Sequence, residues 1–187
     1  LADADLQQDI KELSTTLTAL KLHMLNVWQQ SSAGLEQLGS AAAAGLTQVS
    51  SLDTDGTPSS MREAYAAIAG EMTAYRDAAT TFAKGWNAEF AELQHADLNA
   101  EGATLLDAYQ RVKTMLNEFL FHAGNRLSAV REKVNQLSRD PADDAQHHLR
   151  QSDAARAFAE LQAAHHRFEF AAGAIDTPNN FRLDSAL

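Results

Sequence analysis

Seven histidines and no cysteine bound the reactive chemistry open to this chain. Without thiols there is no disulfide, no thiolate metal site and no Cys nucleophile. Imidazole paired with carboxylate remains. Glu92 and His95 stand in a Glu-x-x-His spacing, which sets both on one face of a helix. Bundles that hold two metal ions use two such motifs and two further glutamates. Glu118 and His122 are four apart and do not supply the second copy. Glu92 and His95 are thus the pair from which a metal site would have to start. A solvated helix flank explains them more simply, and no cofactor is expected.

His165 lies between Leu161 and Phe168 on an apolar stripe. A histidine there is a core residue satisfied by a neighbouring side chain, or a ligand-binding or pH-sensing position. Its neighbour His166 must then lie at the flank. His147 and His148 fall in the first turns of a helix, a poor place for a cation, and are expected to be neutral and exposed. His23 flanks a stripe. No Gly-x-Ser-x-Gly, phosphate-cradling loop or His-Glu-x-x-His occurs. The sequence reads as non-enzymatic.

Binding by surface is the remaining chemistry. Arg126, Arg131, Lys133 and Arg139 crowd one stretch. Residues 100–140 hold six basic and five acidic side chains, whereas residues 50–99 hold three basic and eight acidic. The cluster reads as a complement to a helix's negative end, or as a docking patch for an acidic partner. Large aromatics off the stripes, Trp28, Phe90, Phe121 and Phe170, would mark a contact surface if exposed together. Phe121, Trp28, Arg126, Arg131 and Lys133 are therefore the candidate partner-binding residues.

The elements that position these residues are legible from apolar spacing. Met61, Tyr65, Ile68, Met72, Tyr75, Ala79, Phe82, Trp86 and Leu93 step by fours and threes, with one place skipped at Glu89. Such a seam keeps one stripe of a long helix turned toward its neighbours. Leu6, Ile10, Leu13, Leu17, Leu20, Met24 and Val27 form a second seam, widened by Leu22, Leu25 and Trp28. A third runs Leu105, Tyr109, Val112, Leu116, Phe119, Ala123, Leu127, Val130, Val134 and Leu137. A fourth runs Leu149, Ser152, Ala155, Phe158, Leu161, His165, Phe168, Ala172 and Ile175.

Helices are expected over about 5–49, 60–97, 100–139 and 141–176, with a tail at 177–187. Asp5 with Gln8, and Ser60 with Glu63, read as capping boxes. Asn99 and Asp140 read as N-caps, with Pro141 at a first helical position and Asp143 in the first turn. The first helix either runs through Gly34, Gly39 and Gly45 or kinks near Gly34. Those small residues read as tight packing within the same bundle, or as a close-approach surface for a partner. Short connections force neighbours to run antiparallel. The expected fold is all-α: an elongated antiparallel up-down-up-down four-helix bundle with coiled-coil-like heptad packing, one domain over 1–187. The seams can be satisfied within one chain or shared in a homodimer.

The chain carries a formal charge of -10 from 15 basic and 25 acidic residues. An acidic surface repels phosphate backbones, which argues against nucleic acid and anionic membranes. No run of about 18 apolar residues occurs, so no membrane span is expected. The chain opens Leu-Ala-Asp-Ala-Asp, without a signal-peptide pattern or initiator Met, and reads as a processed or excised piece. The expected function is an interaction module that binds a protein partner, on an exported or surface-associated bacterial protein such as a secretion-system component or cargo. The expected location is extracytoplasmic or secreted. An extracytoplasmic sensor domain of a chemoreceptor or histidine kinase, and a metal or haem carrier using the bundle core, are the alternatives.

Overall fold

A computed structural model describes residues 2–96, 102–139 and 145–176, and these form an antiparallel four-helix bundle. Helix α1 spans Ala2–Ser50, α2 Ser59–Gln94, α3 Gly102–Ser138 and α4 Ala145–Gly173, and a 3-10 turn follows at Ala174–Asp176. The expected caps at Asn99 and Asp140, the residues Pro141 and Asp143, and the tail 177–187 lie outside the described residues.

Cross-helix partners fix the register. Lys21 Nζ donates to the Ala96 carbonyl at 2.8 Å, and Trp28 Nε1 donates to Asn87 Oδ1 at 2.8 Å. Gly45 faces Met72. Numbers therefore rise along α1 as they fall along α2. Arg111 with Glu89, Met115 with Gly85 and Arg126 with Glu71 set α3 antiparallel to α2. Phe168 with Gly34 and Ala157 with Gly45 do the same for α4 on α1. Helix α1 packs along both α2 and α4, whereas α3 and α4 touch more sparsely.

The α2 seam is buried along its length. Its centre is aromatic: Phe82 stacks on Phe119 with centroids 4.3 Å apart, and Phe168 meets Phe82 edge-on at 5.8 Å. Burying each such side chain contributes roughly 1.5–3 kcal/mol, so this centre holds the helices together more than local propensity does. Helix α1 runs unbroken through its glycines. A methyl group on Gly34 would lie 3.5 Å from the Phe168 Cα, and one on Gly45 would lie 3.4 Å from Met72 Sδ. Both distances are ordinary van der Waals contacts, so α2 and α4 pack against a small-residue face of α1 that an alanine would also fit, which is the packing reading of the small-residue stretch.

Several expectations are corrected. Asp5 and Gln8 form no capping box, because α1 already begins at Ala2, and Gln8 donates to Glu12 instead. Ser60 does not cap α2: Pro58 holds the N-cap position, where a side-chain cap is impossible. In α4 the stripe has another phase. Leu149 and Ser152 are exposed, and His147, Arg150, Ala154 and Ala157 are buried. The expected sequence Leu149-Ser152-Ala155-Phe158 advances by threes, and each such step drifts about 60° around a helix of 3.6 residues per turn. The fours and threes back from Leu161 stay on one side.

The largest correction concerns α1. Leu17, Leu20, Met24 and Val27 are buried, but Leu6 and Ile10 are each 58% exposed and Leu13 is 38% exposed. The register explains it. Lys21 is already level with the end of α2. Carried on from Phe168 and Ala157, Asp176 comes level with about residue 26 of α1. Residue 2 thus lies about 28 Å beyond the level of Ala96 and about 36 Å beyond that of Asp176.

Candidate functional site

His165 enters the core because α4 keeps its phase through Leu161, His165 and Phe168. It is 3% exposed. Its Nδ1 lies 2.8 Å from the Tyr75 hydroxyl, a hydrogen bond across the bundle from α4 to α2. Its Nε2 lies 3.5 Å from Glu169 Oε2, on a half-exposed side chain. Burial holds the imidazole below its ordinary range, with Glu169 pulling the other way and His166 adding to the depression. Burial also raises the Tyr75 phenol well above its usual range. The pair is a neutral hydrogen bond in an apolar interior, which locks α2 and α4 in rotation. His166 is exposed, as a flank residue should be.

The other end of α4 overturns an expectation. His147 is 2% exposed, not solvated, and neither ring nitrogen has a hydrogen-bond partner. Arg150 is 8% exposed and donates to Gln146 at 3.2 Å. Across from them the Tyr65 hydroxyl is buried without a partner. Burial raises its pKa, and the charge of Arg150 opposes that rise. Apolar periodicity could not announce these residues, because it weights Leu149 above His147.

The basic residues do not form one patch. Arg126 pairs with Glu71 on α2 at 3.1 Å. Arg131 lies over the Phe158 ring on α4, 5.7 Å from its centroid. The two therefore leave α3 on opposite sides, and Lys133 lies half-buried farther along. Trp28 is half-buried rather than free: it stacks on Phe90 at 5.5 Å with the rings 6° apart. Phe90, expected off the seam, is fully buried. Phe121 and Phe170 are exposed, at 66% and 87%.

Glu92 and His95 are both exposed at the end of α2, where His95 is the C-cap residue. They border an open hollow of about 530 Å³ that Leu93, Leu105, Ala108 and Arg111 also line. Arg111 spends its guanidinium on Glu89 in a two-pronged pair, each bond 3.1 Å. Among the described residues no three His, Asp or Glu side chains come close enough to hold a metal ion. The hollow therefore has apolar walls and a rim on which Arg111 is paired with Glu89 while Glu92 stays exposed.

One surface that sequence reasoning did not single out is the exposed stripe of α1. Among the described residues α1 spans 49 residues against 36 in α2 and 29 in α4. The described parts of α2 and α4 end before the level of Leu6, Ile10 and Leu13. No helix among the described residues is long and apolar enough to cross a membrane. Compared with protein-family models, with curated proteins and with solved structures, the chain matches none.

Proposed function

We propose that this chain is a non-enzymatic protein-interaction module whose contact surface is the first part of α1, residues 3–16. The observation that carries the reading is the exposure of Leu6, Ile10 and Leu13, in phase with a stripe that is buried from Leu17 onward. The same seam thus serves the fold at one end and offers itself to a partner at the other. A stripe at seam spacing is the form in which helical partners present their anchors. The rest of the bundle acts as a rigid base: its interior is filled by Phe, Tyr, Trp, Met and Leu side chains, locked by the Tyr75–His165 bond.

Replacing Leu6, Ile10 and Leu13 together by Gln tests this. If the stripe serves a partner, the melting temperature of the isolated protein stays within a few degrees of the parent, since exposed substitutions change stability by about 0.5 kcal/mol or less each. A large drop would mean that the stripe belongs to the protein's own core.

A further inference from the structure

We infer that Tyr75 and His165 form a one-electron redox site, in which an oxidising equivalent taken up at Trp28 travels through aromatic rings to Tyr75 and the phenol proton passes to His165. The co-reactant is a strong one-electron oxidant from solution, such as a radical or a high-valent metal complex. The site lies in the body of the bundle and does not depend on the α1 stripe.

A phenol or indole gives up an electron far more readily when a base takes its proton in the same event, because no cation then builds up on the ring in an apolar interior. The chain holds three tyrosines and two tryptophans. Among the described residues the Tyr65 hydroxyl and Trp86 Nε1 are buried without a partner. The Tyr109 hydroxyl donates to the Ile175 carbonyl at 3.3 Å, and Trp28 Nε1 donates to the amide oxygen of Asn87. Neither of those oxygens is a base. Tyr75 differs from all four, since its hydroxyl lies 2.8 Å from His165 Nδ1. The tautomer follows from the other side of the ring. Glu169 Oε2, 3.5 Å from Nε2, is an acceptor only, so Nε2 carries the hydrogen and Nδ1 is left to accept from the phenol. Burial raises the phenol, so Tyr75 keeps its proton at rest.

The rings form an unbroken path to this pair. Trp28, half-buried, is its opening to solvent. Trp28 stacks on Phe90 at 5.5 Å, Phe90 meets Trp86 at 4.9 Å, and Trp86 meets Phe82 at 5.1 Å. Phe82 stacks on Phe119 at 4.3 Å, and Phe119 meets Tyr75 edge-on at 6.3 Å. The tryptophans are the relay points and the phenylalanines bridge them. Neither tryptophan has a base for its N–H, so neither retains the oxidising equivalent. The oxidant takes one electron from Trp28 and is reduced. Trp86 replaces that electron, and Tyr75 replaces the one lost by Trp86. As the electron leaves Tyr75 its O–H bond breaks and an N–H bond forms at His165 Nδ1. A neutral phenoxyl radical remains, with an imidazolium facing the Glu169 carboxylate, a charge-assisted contact that favours the product.

Photo-oxidised tris(bipyridine)ruthenium, generated by a flash with persulfate as electron acceptor, tests this on the full chain. Electron paramagnetic resonance should show a neutral tyrosyl radical that persists in the Tyr65→Phe/Tyr109→Phe double variant and is lost in Tyr75→Phe. Its formation should slow in heavy water, because a proton moves with the electron. His165→Gln can accept the hydrogen bond but cannot take the proton, so it should leave the oxidation on tryptophan. Glu169→Gln, on a half-exposed side chain, should lower the yield of the phenoxyl radical severalfold without disturbing the fold. A tyrosyl signal that survives Tyr75→Phe would overturn the proposal. So would a yield unchanged in a folded His165→Gln or, where that variant melts below the assay temperature, in Glu169→Gln.

Discussion

Replacing His165 by Phe should flatten the loss of stability that this protein suffers on mild acidification. The imidazole is 3% exposed and held below its ordinary range by burial. The groups facing it are the Tyr75 hydroxyl from α2 and Glu169 and His166 from α4. Between the depressed folded value and the unfolded value of about 6.5, the unfolded chain binds the extra proton. Stability from this residue is therefore present above pH 6.5 and is lost as the pH falls through the folded value. The loss between pH 7.5 and 5.5 grows with the depth of that depression and has an upper limit of about 1.4 kcal/mol, set by protonation of the unfolded chain alone. The other ionisable groups are common to both proteins, so the difference between parent and variant isolates His165. The single variant also leaves the Tyr75 hydroxyl buried and unpaired, at a cost of about 1–3 kcal/mol near pH 7.5. Adding Tyr75→Phe removes donor and acceptor together and should recover much of that cost. Urea unfolding at steps from pH 7.5 to 5.5, followed by tryptophan fluorescence, measures both effects. A parent and a His165→Phe variant whose stabilities run parallel across the window would refute the reasoning. So would a parent that gains stability relative to the variant as acid is added.

Tyr65→Phe should stabilise the protein by about 1 kcal/mol, since it deletes a buried hydroxyl without a partner, and a rise in the urea midpoint would register it. Gly39→Ala should raise the melting temperature through roughly 1 kcal/mol of helix propensity, because a methyl group there meets nothing within 4 Å. Gly45→Leu should instead cost about 1–3 kcal/mol by forcing α1 off Met72 and Ala157. Arg111→Ala should cost about 1 kcal/mol or less, and the cost should shrink in high salt, because the pair with Glu89 is only partly shielded from water.

The seams of α2 and α3 were readable because their apolar residues are large and keep a strict four-three step. Each step then has one physical solution, a long helix with one covered side. The unbroken course of α1 was readable only as one of two options, because Gly34, Gly39 and Gly45 weaken helix propensity, and the packing along α2 and α4 that outweighs them is not local. The phase of α4 was misread where Leu149 competes with His147 and Arg150. Rotation of that helix is set by Ala154, Ala157 and Leu161 packing into the core, and the early turns follow whatever their chemistry. His165 was legible as a core histidine, while its partner Tyr75 was not, since no local spacing links residues on diagonal helices. The exposed reach of α1 needed relative helix lengths and the register together. The capping boxes failed for a local reason: Pro58 already starts α2 with a fixed backbone angle, and α1 runs straight through Asp5.

The long contact between α1 and α4 carries a consequence for synthesis. Of the four helices α4 leaves the ribosome last, yet it supplies one of the two walls against which α1 packs. Until it emerges, Gly34, Gly45 and the aromatic centre around Phe82 face water. The nascent chain therefore waits as an open trough, in need of protection from its neighbours on the same message, and closes only when the final rod drops into place.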